Sequence, residues 1–301
     1  MATQSPLVAR VCHGALRTPD LDASLRHATE VLGLRESERQ DGIVYLTAGA
    51  RHHDLQLIPG ERSGLHHMGL EATSRAALDE IEARARSGGH EVLARGRGIE
   101  PGVDEALRLL APGDHVVEVH AGMAEDQPPA FESVGATPVK LGHVTVTTPD
   151  RAELEDFFTA VLGFIPSDRV GGEAVWMRCN HDHHGIAILG GGEAGLRHFA
   201  WEVGEVADLV AVADLAVGSG SLLTWGIGRH GPGNNLACYH TDPIGATHEH
   251  LFDLQQIEDR DWQGRDWEGL ENWRNLWGPM NDAFSLEGDF PRAVGVGAGS
   301  R

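Results

Sequence analysis

The sequence predicts an α+β protein made of two similar halves, and three observations lead to that prediction. The same order of segments occurs twice along the 301 residues. Within each copy, alternating apolar and polar runs are typical of half-buried strands, and apolar residues three or four positions apart are typical of amphipathic helices. A chain of this length is also long enough for two ordinary domains.

The repeat begins with a strand-like segment that ends in a Thr-Pro-Asp turn, VCHGALRTPD at 11–20 and LGHVTVTTPD at 141–150. Each copy then continues through a helix, several strands and a second helix. The matching later segments are RHHDLQLIPG with DHHGIAILGG, LHHMGLEA with LRHFAWEV, RAALDEIEARA with VADLVAVADLA, and DHVVEVH with ATHEHLF. So long a match in almost fixed register indicates a duplicated unit.

The first helix of each copy has recognisable start and stop signals. Asp20 or Asp22 is placed to cap the helix in LDASLRHATEVLGL, and Asp150 is placed to cap RAELEDFFTAVLGF. Both segments end at Leu-Gly. Gly33 and Gly163 therefore stand where a left-handed C-cap is expected.

Composition shifts predict where the halves end. Residues 1–122 are predicted to form an N-terminal domain, 123–138 a linker rich in Ala, Pro, Gly and Ser, and 139–254 a C-terminal domain. Residues 255–301 form a predicted tail. Its tryptophans are expected to pack onto a sheet or a neighbouring subunit, and a lid over a site is the alternative. These tryptophans are Trp262, Trp267, Trp273 and Trp277.

Charge and hydropathy exclude several classes of function. With 24 Lys and Arg against 45 Asp and Glu, the net charge is −21, so nucleic acid is not an expected partner. No apolar run reaches the roughly eighteen residues of a spanning helix, so a membrane protein is not expected. The expected location is the cytoplasm. The three cysteines have no metal-like spacing and are expected to be reduced thiols. The predicted partner is a small molecule.

Histidine is frequent, at 18 residues, and the C-terminal copy contains a possible metal-binding set. His143, His198 and Glu249 all lie in strand-like runs. Two histidines and one carboxylate can occupy one face of an octahedral ion and leave positions open, which is the pattern of non-haem Fe(II) oxygenases. A buried carboxylate such as Glu249 is costly without a cation, and a metal would supply one.

The N-terminal copy repeats this set as His13, His67 and Glu118. The histidines are 54 residues apart against 55 in the other copy, and the glutamate follows after 51 residues in both. A single strand histidine is more often a hydrogen-bonded core residue than a ligand. Repetition of the whole set in register favours metal binding, at least in an ancestor.

The most specific segment is WGIGRHGPGNNLACYHTDPIGATHEH at 225–250, and LGH at 141–143, VLGF at 161–164 and WMRCN at 176–180 support it. On these residues the chain resembles the two-domain type I extradiol catechol dioxygenases of the vicinal oxygen chelate superfamily, over nearly residues 8–285. The resemblance extends to catechol 2,3-dioxygenases and 2,3-dihydroxybiphenyl dioxygenases. It implies tandem βαβββ modules, with each domain forming a curved sheet around a cleft.

The resemblance also implies roles for nine residues. The implied iron ligands are His143, His198 and Glu249. The implied catalytic residues are His184, as acid and base, with His230 and Tyr239, which would hydrogen-bond substrate oxygens. The implied substrate contacts are Trp176, Trp225 and Thr145.

Two of these assignments leave an alternative open. His183 competes with His184, because period-two alternation directs only one of them inward, and the family match favours His184. Where some relatives that bind a substrate carboxylate have Arg, this chain has Trp225. Together with Trp176, that residue suggests an uncharged ring substituent, although it could serve only for packing.

The N-terminal domain is expected to be non-catalytic. Arg108 stands where Tyr239 would correspond, Ile99 stands where His230 would, and the glycine-rich segment has no counterpart. The alternative is that His13, His67 and Glu118 bind a metal.

The implied activity is Fe(II)-dependent extradiol cleavage of a catechol-type diol with O2, giving a 2-hydroxymuconic semialdehyde-type product in aromatic degradation. Mn(II) could replace iron in this ligand set. A homo-oligomer is expected. The alternatives are a glyoxalase-type isomerase and a non-catalytic ligand-binding or resistance protein.

Overall fold

A computed structural model of the protein describes residues 6–127, 136–259 and 261–278. Part of the predicted linker and the last 23 residues of the predicted tail, 279–301, lie outside these described residues. No helix in the described part is long and apolar enough to cross a membrane. The three cysteines are free thiols, in agreement with the prediction.

The N-terminal half, residues 6–127, is one mixed sheet with two helices. Its strands are β1 (Val8–Thr18), β2 (Arg35–Gln40), β3 (Ile43–Thr47), β4 (Leu55–Pro59), β5 (Gly64–Ala72), β6 (Glu91–Gly96), β7 (Val103–Ala111) and β8 (His115–Met123). Its helices are α1 (Leu21–Glu30) and α2 (Arg75–Ser87). The strand order across the sheet is β2-β3-β4-β1-β5-β8-β7-β6.

The C-terminal half, residues 136–278, repeats this arrangement. Its strands are β9 (Lys140–Thr148), β10 (Ile165–Val170), β11 (Ala174–Arg178), β12 (Ile186–Gly190), β13 (Gly195–Glu202), β14 (Leu223–Arg229), β15 (Leu236–Thr241), β16 (Thr247–Phe252) and β17 (Arg265–Asp266), and its helices are α3 (Arg151–Ala160) and α4 (Val206–Gly218). The order β10-β11-β12-β9-β13-β16-β15-β14 matches the first sheet strand for strand, with β17 added beside β10. The predicted α+β fold of tandem βαβββ modules is therefore confirmed.

The capping residues of α1 and α3 lie where the sequence predicts, and the structure decides between Asp20 and Asp22. Asp20, rather than Asp22, caps α1 by accepting a hydrogen bond from the backbone N–H of Ala23 at 2.9 Å. Asp150 caps α3 in the same way. Gly33 and Gly163 have φ of 70° and 77° in the turn after each helix, the left-handed conformation that glycine adopts without strain.

One apolar core runs through both halves. Phe199 of β13 lies directly against Gly14 of β1, where a β-carbon would come within 2.4 Å of the phenyl ring. The glycine thus allows the two sheets to meet. Burying a side chain as large as Phe199 contributes roughly 1.5–3 kcal/mol.

The described part of the tail packs onto the outer strand of the second sheet, in agreement with the first of the two interpretations of its tryptophans. β17 pairs with β10 in parallel. Trp267 is buried and its indole N–H donates to Asp168 at 2.7 Å. Trp273 meets Trp176 edge to face at 5.9 Å between ring centroids. Trp277 stays 62% exposed.

Candidate metal centre and catalytic site

Three neighbouring strands, β9, β13 and β16, bring the predicted metal ligands together. Ala200 on the middle strand pairs with His143 on one side and with Glu249 on the other. Paired residues of a sheet share a face, and so do residues two positions apart in one strand. His198, two residues before Ala200, therefore joins His143 and Glu249 on the same face.

The three ligand atoms form a compact, buried triangle. Glu249 Oε2 lies 3.1 Å from Nε2 of His143 and 3.1 Å from Nε2 of His198, and the two nitrogens are 3.3 Å apart. Atoms that bind one ion at about 2.1 Å and at right angles to each other lie about 3 Å apart. The triangle thus fits one face of an octahedral metal site, and the 11% exposure of the His198 side chain marks its accessible edge.

The protonation states suit metal binding. Burial lowers the pKa of His198 to about 4, so its ring is neutral and has a free lone pair near neutral pH. Burial opposes the charge of Glu249, yet its contacts with His143 and His198 lower its pKa well below the usual range. Among the described residues, no Lys or Arg forms an ion pair with this carboxylate. A cation at the centre of the triangle would compensate its charge.

The structure separates the two candidate acid/base histidines. The ring of His184 lies 4.3 Å from that of His143, beside the triangle. His183 lies behind it, with its Nδ1 3.0 Å from Nδ1 of His184 and its Nε2 3.3 Å from Asp168. Burial lowers the pKa of His184 well below its ordinary value, which leaves this imidazole neutral.

His230 and Tyr239 form a hydrogen-bonded pair at the edge of the triangle. His230 Nδ1 donates to the backbone carbonyl of Arg274 at 2.7 Å, so in the neutral ring Nε2 accepts from the Tyr239 hydroxyl at 2.9 Å. The indole of Trp225 stacks on His230 at 4.5 Å. Burial, and then the charge of Glu249, raise the pKa of Tyr239 well above its ordinary value, so the phenol keeps its proton.

Strand register brings the predicted substrate contacts to the face of the ligands. Paired residues form two adjacent rows across the sheet. One row is Trp225, Tyr239, Glu249, Ala200 and His143, and the other is His198, Thr145, Ala187 and Trp176. Thr145 and Trp176 thus lie on the same side of the sheet as the metal triangle.

Three contributors escaped the sequence reasoning. Asn235 donates to Glu249 Oε1 at 3.2 Å, and its place in the Gly-Pro-Gly-Asn-Asn segment was a signal that could have found it. Asp168, behind His183, and the carbonyl of Arg274, which orients His230, had no such signal. Asp168 contacts Trp267 of the tail, and Arg274 itself belongs to the tail. No local pattern predicts either contact.

The N-terminal half contains the corresponding rows. Gly69 on β5 pairs with both His13 on β1 and Glu118 on β8, as Ala200 does in the other half. His67, two residues before Gly69, lies with its Nε2 3.1 Å from that of His13. All three predicted ligands therefore come together here as well.

The surroundings of this second set differ. Arg108 pairs with Glu118 in the register that Tyr239 takes beside Glu249, and its guanidinium donates to Glu118 Oε2 at 2.7 Å. Arg108 also donates to Glu100, a buried carboxylate. Glu100 follows Ile99, the residue that stands where His230 does in the other half. The sequence reasoning missed Glu100, because it lies in an irregular segment whose sequence differs from that of the corresponding segment in the other half.

Comparison with known proteins finds one family and consistent relatives. A model of the Glyoxalase/Bleomycin resistance protein/Dioxygenase superfamily matches residues 10–104 and 140–249. A manganese-dependent 2,3-dihydroxybiphenyl 1,2-dioxygenase of Geobacillus genomosp. 3 is 26% identical over 310 residues, which cover 91% of this chain and 98% of that protein.

Two solved structures have the same fold. The Mn(II)-bound glyoxalase from Novosphingobium aromaticivorans matches with a TM-score of 0.85 and 27% identity, covering 90% of this chain and 91% of that one. The anaerobic substrate complex of homoprotocatechuate 2,3-dioxygenase from Brevibacterium fuscum, with 3,4-dihydroxyphenylacetate, matches with a TM-score of 0.83 and 25% identity, covering 93% and 91%.

Proposed function

The chain belongs to the glyoxalase/bleomycin resistance protein/dioxygenase superfamily, and from this premise we propose that it is a metal-dependent extradiol dioxygenase that cleaves catechol-type diols with O2. The observation that carries the proposal is the triangle of His143, His198 and Glu249 with three further polar side chains beside it. These are His184, His230 and Tyr239. The expected product is a 2-hydroxymuconic semialdehyde.

The donor set fits a divalent ion that accepts nitrogen and oxygen ligands together, of which Fe(II) and Mn(II) are examples. Fe(II) is the metal that the sequence resemblance implies, while two similar proteins are described with manganese. We propose Fe(II), with Mn(II) as the alternative that these relatives favour. When bound, the ion would hold both diol oxygens and supply the Lewis-acid and redox chemistry of ring opening.

His184 is the proposed proton acceptor. The Asp168 carboxylate lies 3.3 Å from His183 Nε2 without hydrogen-bond geometry, and its negative charge favours the proton on that nitrogen, so His183 Nδ1 can accept from the Nδ1–H of His184. The remaining nitrogen of His184, Nε2, then carries a lone pair. A neutral imidazole in this tautomer can take a proton from a diol hydroxyl and return it later.

Tyr239 and His230 are the proposed partners of the substrate oxygens. The Tyr239 phenol keeps its proton and already donates to His230, so its oxygen can accept from a protonated diol oxygen, or the phenol can turn to donate to an ionised one. His230 is held by Arg274 on one side and Trp225 on the other. Groups fixed in advance stabilise developing charge without reorganising.

We further propose that the substrate carries an uncharged ring substituent. Trp176 and Trp225 lie on the face of the triangle, and Trp225 stands where some relatives that bind a substrate carboxylate have Arg. Trp225→Arg should therefore raise the relative kcat/KM for a carboxylated catechol over plain catechol. An unchanged ratio in a folded, metal-loaded variant would contradict this assignment.

The activity is tested by anaerobic reconstitution of the apoprotein with Fe(II) or Mn(II), followed by catechol, 2,3-dihydroxybiphenyl or protocatechuate and air. Oxygen consumption with a yellow product is expected with the first two diols. Isomerisation of a glutathione hemithioacetal instead would indicate the glyoxalase-type alternative. Diol binding without oxygen uptake by either metal form would indicate a binding protein, and both outcomes refute the proposal.

The other expectations from the sequence stay predictions. These are the boundaries of the two domains, the homo-oligomeric state and the cytoplasmic location. Sedimentation of the metal-loaded protein would test the second of them.

A further inference from the structure

The N-terminal half contains a second buried group of metal-ligating side chains, the N-terminal cluster, formed by His13, His67, Glu100 and Glu118. One ligand atom from each lies within 4.8 Å of the others. Side-chain exposure is 0% for His13, His67 and Glu118, and 2% for Glu100. Water therefore does not solvate these polar atoms, and each needs a partner inside the protein.

One atom of the cluster has no such partner. Glu118 Oε1 is fully buried, and among the described residues no N–H or hydroxyl group donates to it; a hydrogen bond to Glu118 from Glu100 requires a proton on that carboxyl. It faces His13 Nε2 at 3.7 Å. A buried carboxylate oxygen left in this way costs free energy unless a cation binds it.

The two histidines present the ring nitrogen that a metal would need. His13 Nδ1 lies 3.3 Å from the sulfur of Cys12, and His67 Nδ1 lies 2.7 Å from Nδ1 of His66. Since these outer contacts occupy both Nδ1 atoms, the Nε2 atoms are the ones directed into the cluster. Outer partners on the far ring nitrogen are the usual arrangement for metal-bound histidine.

Without a metal, the charge in the cluster is balanced only when one carboxyl holds a proton, and burial raises the pKa of Glu100 to about 9. Two buried carboxylates meet a single cation, the guanidinium of Arg108, which contacts Glu100 and Glu118 from outside the histidine pair. Neutral imidazoles add no charge. A divalent ion between the carboxylates and the histidines would supply the missing positive charge in place of that proton.

We propose that the N-terminal cluster is a second divalent-metal site, closed by four protein ligands and without a catalytic role. Neighbouring ligand atoms are 3.1, 3.7 and 3.8 Å apart. Ligands about 2.1 Å from a tetrahedral ion lie about 3.4 Å apart, and structural zinc sites are closed and tetrahedral. Glu100 takes the position that a substrate would need, and Arg108 covers the outside.

A third group of possible ligands does not meet the same criteria. His27, Asp242 and His248 also converge, between the two halves. However, Trp201 donates its indole N–H to His248 Nδ1 at 3.1 Å, which forces the proton of a neutral ring onto Nε2. That nitrogen faces Asp242 and has no lone pair for a metal.

Zinc counting tests the proposal independently of the proposed activity, because it requires no turnover. The apoprotein is titrated with Zn²⁺ against a chromophoric chelator strong enough to strip surface histidines. We expect about two tightly held ions per chain in the wild type and about one in His143→Ala/Glu249→Gln. Adding Glu100→Gln to that double variant should lower the zinc affinity of the remaining site at least about 100-fold. This exceeds the loss of affinity usual when an outer-shell partner is removed.

Matched variants guard against misfolding. His67→Gln removes a ligand but leaves both contacts of Arg108 intact, and it should also abolish the zinc-dependent rise in melting temperature of the double variant. Glu155→Gln removes another buried carboxylate, paired with Arg151 and Arg169, and should leave the zinc count unchanged. A double variant that binds no zinc against the chelator, or whose affinity is unaffected by Glu100→Gln and His67→Gln, overturns the proposal.

Discussion

The two halves place the same three ligands on the same three strands, but they differ in what lies beside the glutamate. In the C-terminal half Tyr239 pairs with Glu249, and in the N-terminal half Arg108 pairs with Glu118. The phenol leaves the carboxylate free for a cation and adds a hydrogen-bonding group at the mouth. The guanidinium neutralises part of the carboxylate and covers it. A ligand triad thus indicates metal binding, whereas its neighbours decide whether a substrate can enter.

The two halves resemble each other more closely behind the ligands than on the side from which a substrate would enter. His53 contacts His13 at 4.6 Å between rings, as His184 contacts His143. His52 lies 2.7 Å from Glu38, as His183 lies beside Asp168. Divergence is therefore concentrated on β6, β7 and the segment between them, the part that faces an incoming ligand.

Removing one ligand imidazole from each half should give the largest difference in activity between paired variants. His198→Ala takes a ligand from the open site and should abolish turnover, because the metal loses one of three protein ligands. His67→Ala takes the corresponding ligand from the closed cluster and should cost far less activity while removing the N-terminal metal. Oxygen uptake per bound metal, together with the metal content of each variant, measures the difference.

Equal losses of turnover in the two variants, at equal melting temperature, would mean that the halves share one catalytic function. The closed character of the N-terminal cluster would then be wrong.

The fold was predictable because it is encoded twice. A chance match in one copy is corrected by the other, and the Thr-Pro-Asp turns with Asp20 and Asp150 fix where each helix starts. The ligand sets were predictable for the same reason, since strand residues two apart return to one face.

What escaped prediction depends on contacts between segments that are far apart in the chain. Glu100 lies in an irregular stretch between β6 and β7, and its carboxylate reaches the cluster through tertiary packing alone. Likewise, Asp168 contacts His183 on one side and Trp267 of the tail, 99 residues away in sequence, on the other. No pattern within either segment reports such a contact.

The second comparison concerns the histidine beside each ligand set. His184→Gln should lower kcat by about 10²–10⁴, the range for loss of a general acid or base. His53→Gln makes the same change in the closed cluster and should have little effect on kcat, because no substrate reaches it. Stopped-flow measurement of product formation, with metal content as the control, distinguishes the two. A similar fall in both variants would contradict the assignment of acid/base chemistry to His184.

The smallest expected effect concerns the carboxylates behind these histidines. Asp168→Asn removes the charge that favours the proton on His183 Nε2, so His183 can carry its proton on Nδ1 instead. His184 would then no longer find an acceptor for its own Nδ1–H and would present a protonated Nε2 to the substrate. We expect kcat to fall about 10–100-fold, as for an outer-shell partner, with KM nearly unchanged.

Glu38→Gln is the matched control, since Glu38 stands behind His52 as Asp168 stands behind His183. A purely structural role for Asp168 would reduce kcat only in step with melting temperature, because the contact with Trp267 would also weaken. A positioning role lowers kcat by more than the change in melting temperature accounts for, with KM nearly unchanged. If Asp168→Asn lowers stability but not kcat, the tail only packs against the sheet, and the proton position on His184 is set without Asp168.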